Sequence, residues 1–162
     1  MRRRDREITE HEDFINSLDQ CKVVHVGMHD GKKIYVLPMN FGYTFENEKL
    51  VLYLHCGMEG KKLDLLRENP YVFVEMDCEH QLIEGKKACT YGYTYASIMG
   101  DGVAEIIDDP QEKIKGLEIL MKSMTGKEFE FNERLVSIVN VIKITVDEYT
   151  GKRSPLKPYG EE

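Results

Sequence analysis

Apolar residues in this chain follow two periods in turn, and the switches between them mark out its elements. Phe14, Ile15 and Leu18 share a helical face, with Thr9 as the predicted cap and Glu12 three residues later as its capping-box partner. From Cys21 to Met28 the run becomes valine-rich and strand-like. Asp30-Gly31 then predicts a hairpin, because glycine takes positive φ without strain. Ile34 to Phe41 supplies the returning strand. Pro38 lies inside it and has no N–H for a ladder, which places this strand at an edge or a bulge. After the polar turn Glu46-Asn47-Glu48, Leu50, Leu52 and Leu54 alternate with Val51 and Tyr53 in a strand from Lys49 to His55.

Gly57 to Gly60 breaks that strand, and a short helix is predicted from Lys61 to Glu68 with Leu63 and Leu66 inward. Asn69-Pro70 stops it, since the residue before a proline avoids the helical region. Tyr71 to Asp77 reads as a strand, Glu79 to Tyr93 as a looser stretch, and Tyr95 to Ile107 as a long strand. Gly100 and Gly102 within it indicate a bend or a close approach. Asp109 caps and Pro110 opens the strongest helix, whose predicted buried stripe is Ile114, Leu117, Leu120, Met121 and Met124, before Gly126 ends it. Ser137 to Val146 is the last strand, and the segment from Gly151, with Pro155 and Pro158, reads as a loose arm.

There is no internal repeat and no linker, so these elements define one domain over 1–150 and a tail over 151–162. The 162 residues suffice for a single core that buries roughly 70% of the unfolded surface. Consecutive hairpin-like strands with peripheral helices point to a mainly β, closed antiparallel barrel rather than βαβ units. Closure removes exposed sheet edges, which suits strands this apolar.

Charge narrows the partners. Lys and Arg number 22 against 29 Asp and Glu, a net −7, and no nucleic-acid partner is expected, because that affinity comes mostly from cations on phosphates. Arg2, Arg3, Arg4 and Arg6 read as a solvated terminus. No apolar stretch approaches the ~20 residues of a spanning helix, and the charged amino end lacks the apolar run of a secretion signal. Cys21, Cys56, Cys78 and Cys89 are scattered without a C-x-x-C, so free thiols in a reducing cytoplasm are expected.

The segment His55-Cys56-Gly57-Met58-Glu59-Gly60-Lys61-Lys62-Leu63 concentrates the candidate chemistry. A strand ends, two glycines open the backbone, and two lysines enter the first turn of a helix, where free N–H groups and the positive dipole end suit a phosphate. Two solvated surface lysines are the alternative. The Walker spacing and G-x-G-x-x-G are both absent. Cys56 beside those lysines is a candidate thiolate. His55 is either an active-site or a structural histidine. No metal is expected: His25 and His29 share a strand face but stand ~13 Å apart, and a polar turn explains Asp77, Cys78 and His80.

Taken in order, Pro38-Met39-Asn40-Phe41-Gly42-Tyr43, Leu52-Tyr53-Leu54-His55 and Glu59-Gly60-Lys61-Lys62 resemble the pyridoxamine 5′-phosphate oxidase-related proteins, in particular their nitroimidazole-resistance branch. Arg2 to Ile8 and Met124-Thr125-Gly126-Lys127-Glu128 resemble that branch too, so the similarity runs from the amino end to about Gly151. The resemblance implies a six-stranded split barrel that forms a homodimer and holds two flavin mononucleotides (FMN) across the subunit interface. It implies that Pro38, Met39, Asn40 and Phe41 lie along the flavin ring, that Lys61, Lys62 and the residues around Cys56 hold its phosphate, and that the partner contributes Tyr95 to Ser97. His55 matches a histidine beside flavin or substrate. The chain departs from the branch in having Cys56-Gly57 after that histidine, Ala96 where a basic residue is common, and no tryptophan. The implied activity is an FMN-dependent oxidoreductase that passes electrons, drawn from NAD(P)H or another donor, to a small nitroaromatic-like acceptor. The alternatives are a pyridoxamine phosphate oxidase-like enzyme and a non-catalytic carrier or sensor of flavin (FMN or FAD) or haem.

Overall fold

Two tight turns set the frame of the sheet. Gly31, at φ 60°, folds β1 (Val24–Asp30) onto β2 (Lys33–Met39). Asn47 at φ 51° and Glu48 at φ 61° fold β3 (Gly42–Glu46) onto β4 (Lys49–Cys56). Two successive left-handed residues give a turn whose twist matches that of the strands it joins. The computed structural model describes residues 3–154. Within it α1 (His11–Gln20) precedes β1, and α2 (Lys61–Glu68) links β4 to β5 (Tyr71–Ile83). Beyond β6 (Gly92–Ile107), α3 (Pro110–Thr125) and α4 (Glu133–Val136) lead to β7 (Asn140–Arg153).

Every pairing is antiparallel, and the strands lie in the order β2-β1-β5-β6-β7-β4-β3. The two edge strands, β2 and β3, are joined by only Asn40 and Phe41. Three Cα steps reach at most ~11 Å, so the sheet must curl until its edges meet at that end. The result is the mainly β antiparallel split barrel that was expected, with an unpaired seam between β2 and β3 instead of a closed ladder. It has seven strands, not six, because the break at Asn40 and Phe41 makes Gly42–Glu46 a strand of its own.

Alternation builds the interior. Val24, Val26 and Met28 of β1, Leu50, Leu52 and Leu54 of β4, and Val72, Val74 and Met76 of β5 share one core with Phe14 and Leu18 of α1 and Leu63 of α2. On their outer face, Val51 and Tyr53 of β4 and Val141 of β7 lie under Leu117 of α3 and Val136 of α4. β4 is therefore buried on both faces over most of its length, which explains its nearly continuous apolar sequence.

Asp109 caps α3 as expected, its Oδ1 accepting from the Gln111 and Glu112 N–H groups at 3.0 and 2.9 Å, and Gly126 ends it at φ 71°. Other details differ. The cap position of α1 is Glu10, and the Thr9 hydroxyl reaches only the Glu10 carboxylate. The buried stripe of α3 is Gly116, Leu117 and Leu120 with the stem of Lys113, while Ile114, Met121 and Met124 are half-buried. The loose stretch is mostly strand: β5 continues to Ile83 across a bulge between Cys78 and Gln81, where Glu79 stands at φ 62°. β7 runs on to Arg153, and a Cβ at the buried Gly151 would meet Ile8 and Phe14, so that part of the expected arm belongs to the sheet. Arg2, Pro155 and Pro158 lie outside the described residues. Among the described residues no helix is long and apolar enough to cross a membrane.

Candidate functional site

At the end of β4, Cys56 pairs with Asn140 of β7, whose side-chain amide donates to the Gly57 carbonyl at 3.2 Å and so pins the loop beyond. Gly60, at φ 140° and ψ 157°, turns the chain into α2. That region is open almost only to glycine. No side chain caps the helix; the Gly60 carbonyl itself accepts from the Leu63 N–H at 2.9 Å. The Lys61 and Lys62 N–H groups therefore remain as outward donors at the positive end of the dipole.

The two lysines differ. Lys61 Nζ lies 2.6 Å from Asp30 Oδ2 at the β1–β2 turn, and 4.9 Å from the centre of the Tyr35 ring. Lys62 is half-buried and acts on Cys56. Burial pushes the Cys56 thiol above its usual pKa, and the Lys62 ammonium only partly offsets that. Desolvation outweighs the nearby charge, which works against the candidate thiolate at Cys56.

His55 is exposed next to Cys56, opposite Val141, on the same strand face as Tyr53. Asn40 is exposed and donates to the Lys22 carbonyl at 3.1 Å. Phe41 is buried in the main core, Met39 is packed partly against it, and Pro38 is exposed on the edge strand. Pro38 lies three residues, or ~10 Å of strand, from the Tyr35 that Lys61 covers. The structure therefore places Cys56, Lys61 and Lys62 around the start of α2, with Lys61 held at the β1–β2 turn, and puts Pro38, Met39 and Asn40 at the other end of β2. This is an open surface: the cavities of about 700 Å³ (beside Tyr43 and Phe129) and about 820 Å³ (beside Thr94 and Arg153) lie elsewhere.

Their own chain holds Tyr95 and Ser97 away from Cys56 and the start of α2. Ala96, between them, pairs with Arg153 at the far end of β7, whereas Cys56 pairs with Asn140, ~43 Å of strand away. Burial works to raise the Tyr95 phenol, but Arg6, whose Nη1 donates to its hydroxyl at 3.5 Å, and Lys152 hold its pKa below the usual value. Ser97 is buried between Asp77 of β5 and Lys152 of β7.

One grouping escaped the sequence reading. β1 pairs with β5 so that His25 faces Glu75, with its Nδ1 3.2 Å from Glu75 Oε2. Asp77, two residues on and on the same face, lies 2.8 Å from His80 Nε2. Only the pairing of strands fifty residues apart could reveal this, and no local motif signals it.

The chain thus joins an antiparallel split barrel to a glycine-opened, lysine-bearing helix start at the β1–β2 turn. A family model described as pyridoxamine 5′-phosphate oxidase matches residues 10–153, and the chain belongs to that family. Among solved structures, it is 35% identical to a candidate 5-nitroimidazole antibiotic resistance protein from Bacteroides thetaiotaomicron, covering 91% of this chain and 86% of that one at a TM-score of 0.77. Two more distant structures share the fold. An FAD and heme binding protein from Mycobacterium smegmatis is 17% identical, with a TM-score of 0.81 over 96% of this chain and 77% of that one. The flavocytochrome Anf3 from Azotobacter vinelandii is 19% identical, with a TM-score of 0.78 over 100% and 75%. No curated protein matches the chain.

Proposed function

We propose that the chain is an FMN-dependent oxidoreductase acting as a homodimer on a small, electron-poor, nitroaromatic-like substrate. The observation that carries this reading is the start of α2, where the uncapped N–H groups after Gly60 and the half-buried Lys62 offer an anion cradle beside the β1–β2 turn. Membership of the oxidase family and the resemblance to the Bacteroides protein support it. In this reading Lys62 and the first turn of α2 hold the flavin phosphate, Lys61 fixes the β1–β2 turn through Asp30, and Pro38 to Asn40 flank the ring. Once bound, FMN supplies the electron-transfer chemistry, charged by NAD(P)H or another donor; the protein orients the ring and excludes competing reactions. His55, exposed at the strand end, orients substrate or donates a proton. Tyr95 and Ser97 complete the pocket from the partner subunit, since their own chain holds them far from Cys56. A reducing cytoplasm suits the four free thiols.

The test is the absorption spectrum of the purified chain before and after added FMN, followed by NAD(P)H oxidation with a nitroaromatic acceptor. A flavin band and turnover are expected. A band without turnover indicates a carrier, and no band even with excess FMN sinks the reading. Lys62→Ala is expected to weaken FMN binding ~10-fold or more, the scale of one charge-assisted hydrogen bond, while Lys61→Ala, already neutralised by Asp30, weakens it less.

A further inference from the structure

We infer that His25, Glu75 and Asp77 form a binding site for a first-row divalent transition-metal ion, on the outer face of the sheet. Glu75 and Asp77 sit two residues apart on one face of β5, and His25 lies directly across from Glu75 on β1. This arrangement, two alternate residues plus a cross-strand neighbour, converges three side chains without any loop having to fold over them. One ligand atom from each residue lies within 4.8 Å of the other two. Around a tetrahedral ion at ~2.1 Å, such atoms stand ~3.4 Å apart, so small side-chain rotations close the site.

The donor set selects the class of ion. One imidazole nitrogen with two carboxylates suits zinc, cobalt, iron or manganese, whereas calcium and magnesium favour all-oxygen surroundings. Two carboxylates this close on one strand face repel each other, and a dication between them removes that cost. All three residues are partly exposed, with side chains 42%, 30% and 39% accessible for His25, Glu75 and Asp77. Three protein ligands leave a coordination position for a further ligand, as reactive sites do and closed structural ones do not.

A fourth residue orients the set. Regular alternation would put residue 80 on the opposite face from Asp77. The bulge between Cys78 and Gln81, with Glu79 at φ 62°, turns His80 back so that its Nε2 lies 2.8 Å from Asp77 Oδ2. His80 is a positioning residue of the kind that tunes affinity from behind a ligand.

The test uses the full-length chain freed of flavin and metal by dialysis against a chelator, so its outcome does not depend on the flavin reading. Cobalt(II) and zinc(II) are titrated in turn, by visible absorption for cobalt and by calorimetry for both. One ion per chain is expected, with a cobalt spectrum free of thiolate charge-transfer bands. Glu75→Gln and Asp77→Asn, which keep shape while removing charge, and His25→Ala are each expected to weaken binding at least 100-fold. His80→Ala is expected to weaken it by ~10–100-fold. His29→Ala, on the same strand but outside the group, leaves binding unchanged. Thermal melts establish that each variant is folded. Absence of stoichiometric binding of both ions overturns the proposal, as does binding that persists unchanged in folded Glu75→Gln and Asp77→Asn.

Discussion

Gly57 and Gly60 frame the same loop, yet they are glycines for different reasons. A Cβ at either would meet nothing within 4 Å, so space does not decide between them. Gly60 alone stands at a positive φ, 140°, in a region where any other residue is strained by ~1–3 kcal/mol. Gly60→Ala is therefore expected to lower the urea midpoint by that much stability and to displace the start of α2, while Gly57→Ala stays within ~0.5 kcal/mol. Equal midpoints for the two variants would show that the loop relaxes freely. Burial also sets the thiol chemistry. Cys21, desolvated first of all and then raised further by the neighbouring Cys78 thiol, has its pKa pushed well above the ordinary value of 9.0, and Cys56 is raised by burial too. Both groups hold their protons more tightly folded than unfolded. Their contribution is thus complete below about pH 9 and is lost as pH rises from there toward the folded pKa. Urea unfolding at pH 8 and pH 10 is expected to show that alkaline loss, with a shallower slope in Cys21→Ala. A thiol reagent at pH 8 should label the exposed Cys89 first and the three buried thiols only on denaturation.

At the scale of elements, α3 is seated by absences. A Cβ at Gly42 would overlap the backbone at Leu120, and one at Gly116 would crowd Tyr53 and Val141. Gly42→Ala must push α3 off β3, and a cost of ~1–3 kcal/mol is expected from overpacking, read as a lower thermal midpoint. The same elements show what a linear pattern can and cannot reveal. Asp30-Gly31, the Asn69-Pro70 stop and the Asp109-Pro110 start act within a few residues, and each appears where local chemistry puts it. β3 was hidden because the returning strand was read through Asn40 and Phe41, where the chain in fact breaks, and the extension of β5 was hidden because its outward residues near the bulge are polar. The glycine-opened, lysine-bearing start of α2, the proposed anion cradle, was readable because glycine, lysine and a helix start are neighbours in sequence. The His25, Glu75 and Asp77 group was not, since it exists only through the β1–β5 register. Nor could the sequence separate Lys61 from Lys62: the difference is Asp30, thirty-one positions away at the tip of another hairpin.

At the scale of the molecule, the outer face of β2, β1, β5 and β6 carries an apolar surface that the described residues leave uncovered. Ile34 (64% exposed), Val36 (56%), Tyr71 (67%) and Phe73 (46%) lie on its side nearer the β1–β2 turn, with Val103 beside Tyr71 and Met99 opposite Glu75. Large contiguous apolar patches on soluble domains mark places where another surface docks. A second copy of the chain is the occupant that the proposed pocket requires, because Tyr95 and Ser97 cannot reach Cys56 within one chain. Burying this face in a homodimer would bring those residues to the partner's seam and desolvate the flavin ring together. The two events should then fail together. Phe73→Asp places a carboxylate at the middle of the patch, opposite Gly27 and beside Val36 in the next strand, without touching the seam, α2 or the main core. Sedimentation equilibrium is expected to show the dimer giving way to monomer in this variant, and bound flavin is expected to fall with the dimer fraction as protein is diluted. A monomeric Phe73→Asp that retains flavin at wild-type affinity would mean that one chain builds the whole pocket, and the assignment of Tyr95 and Ser97 to the partner's cofactor would have to be withdrawn. A dimer that survives the substitution would instead place the subunit contact on another face, leaving the exposed apolar strands with a different occupant.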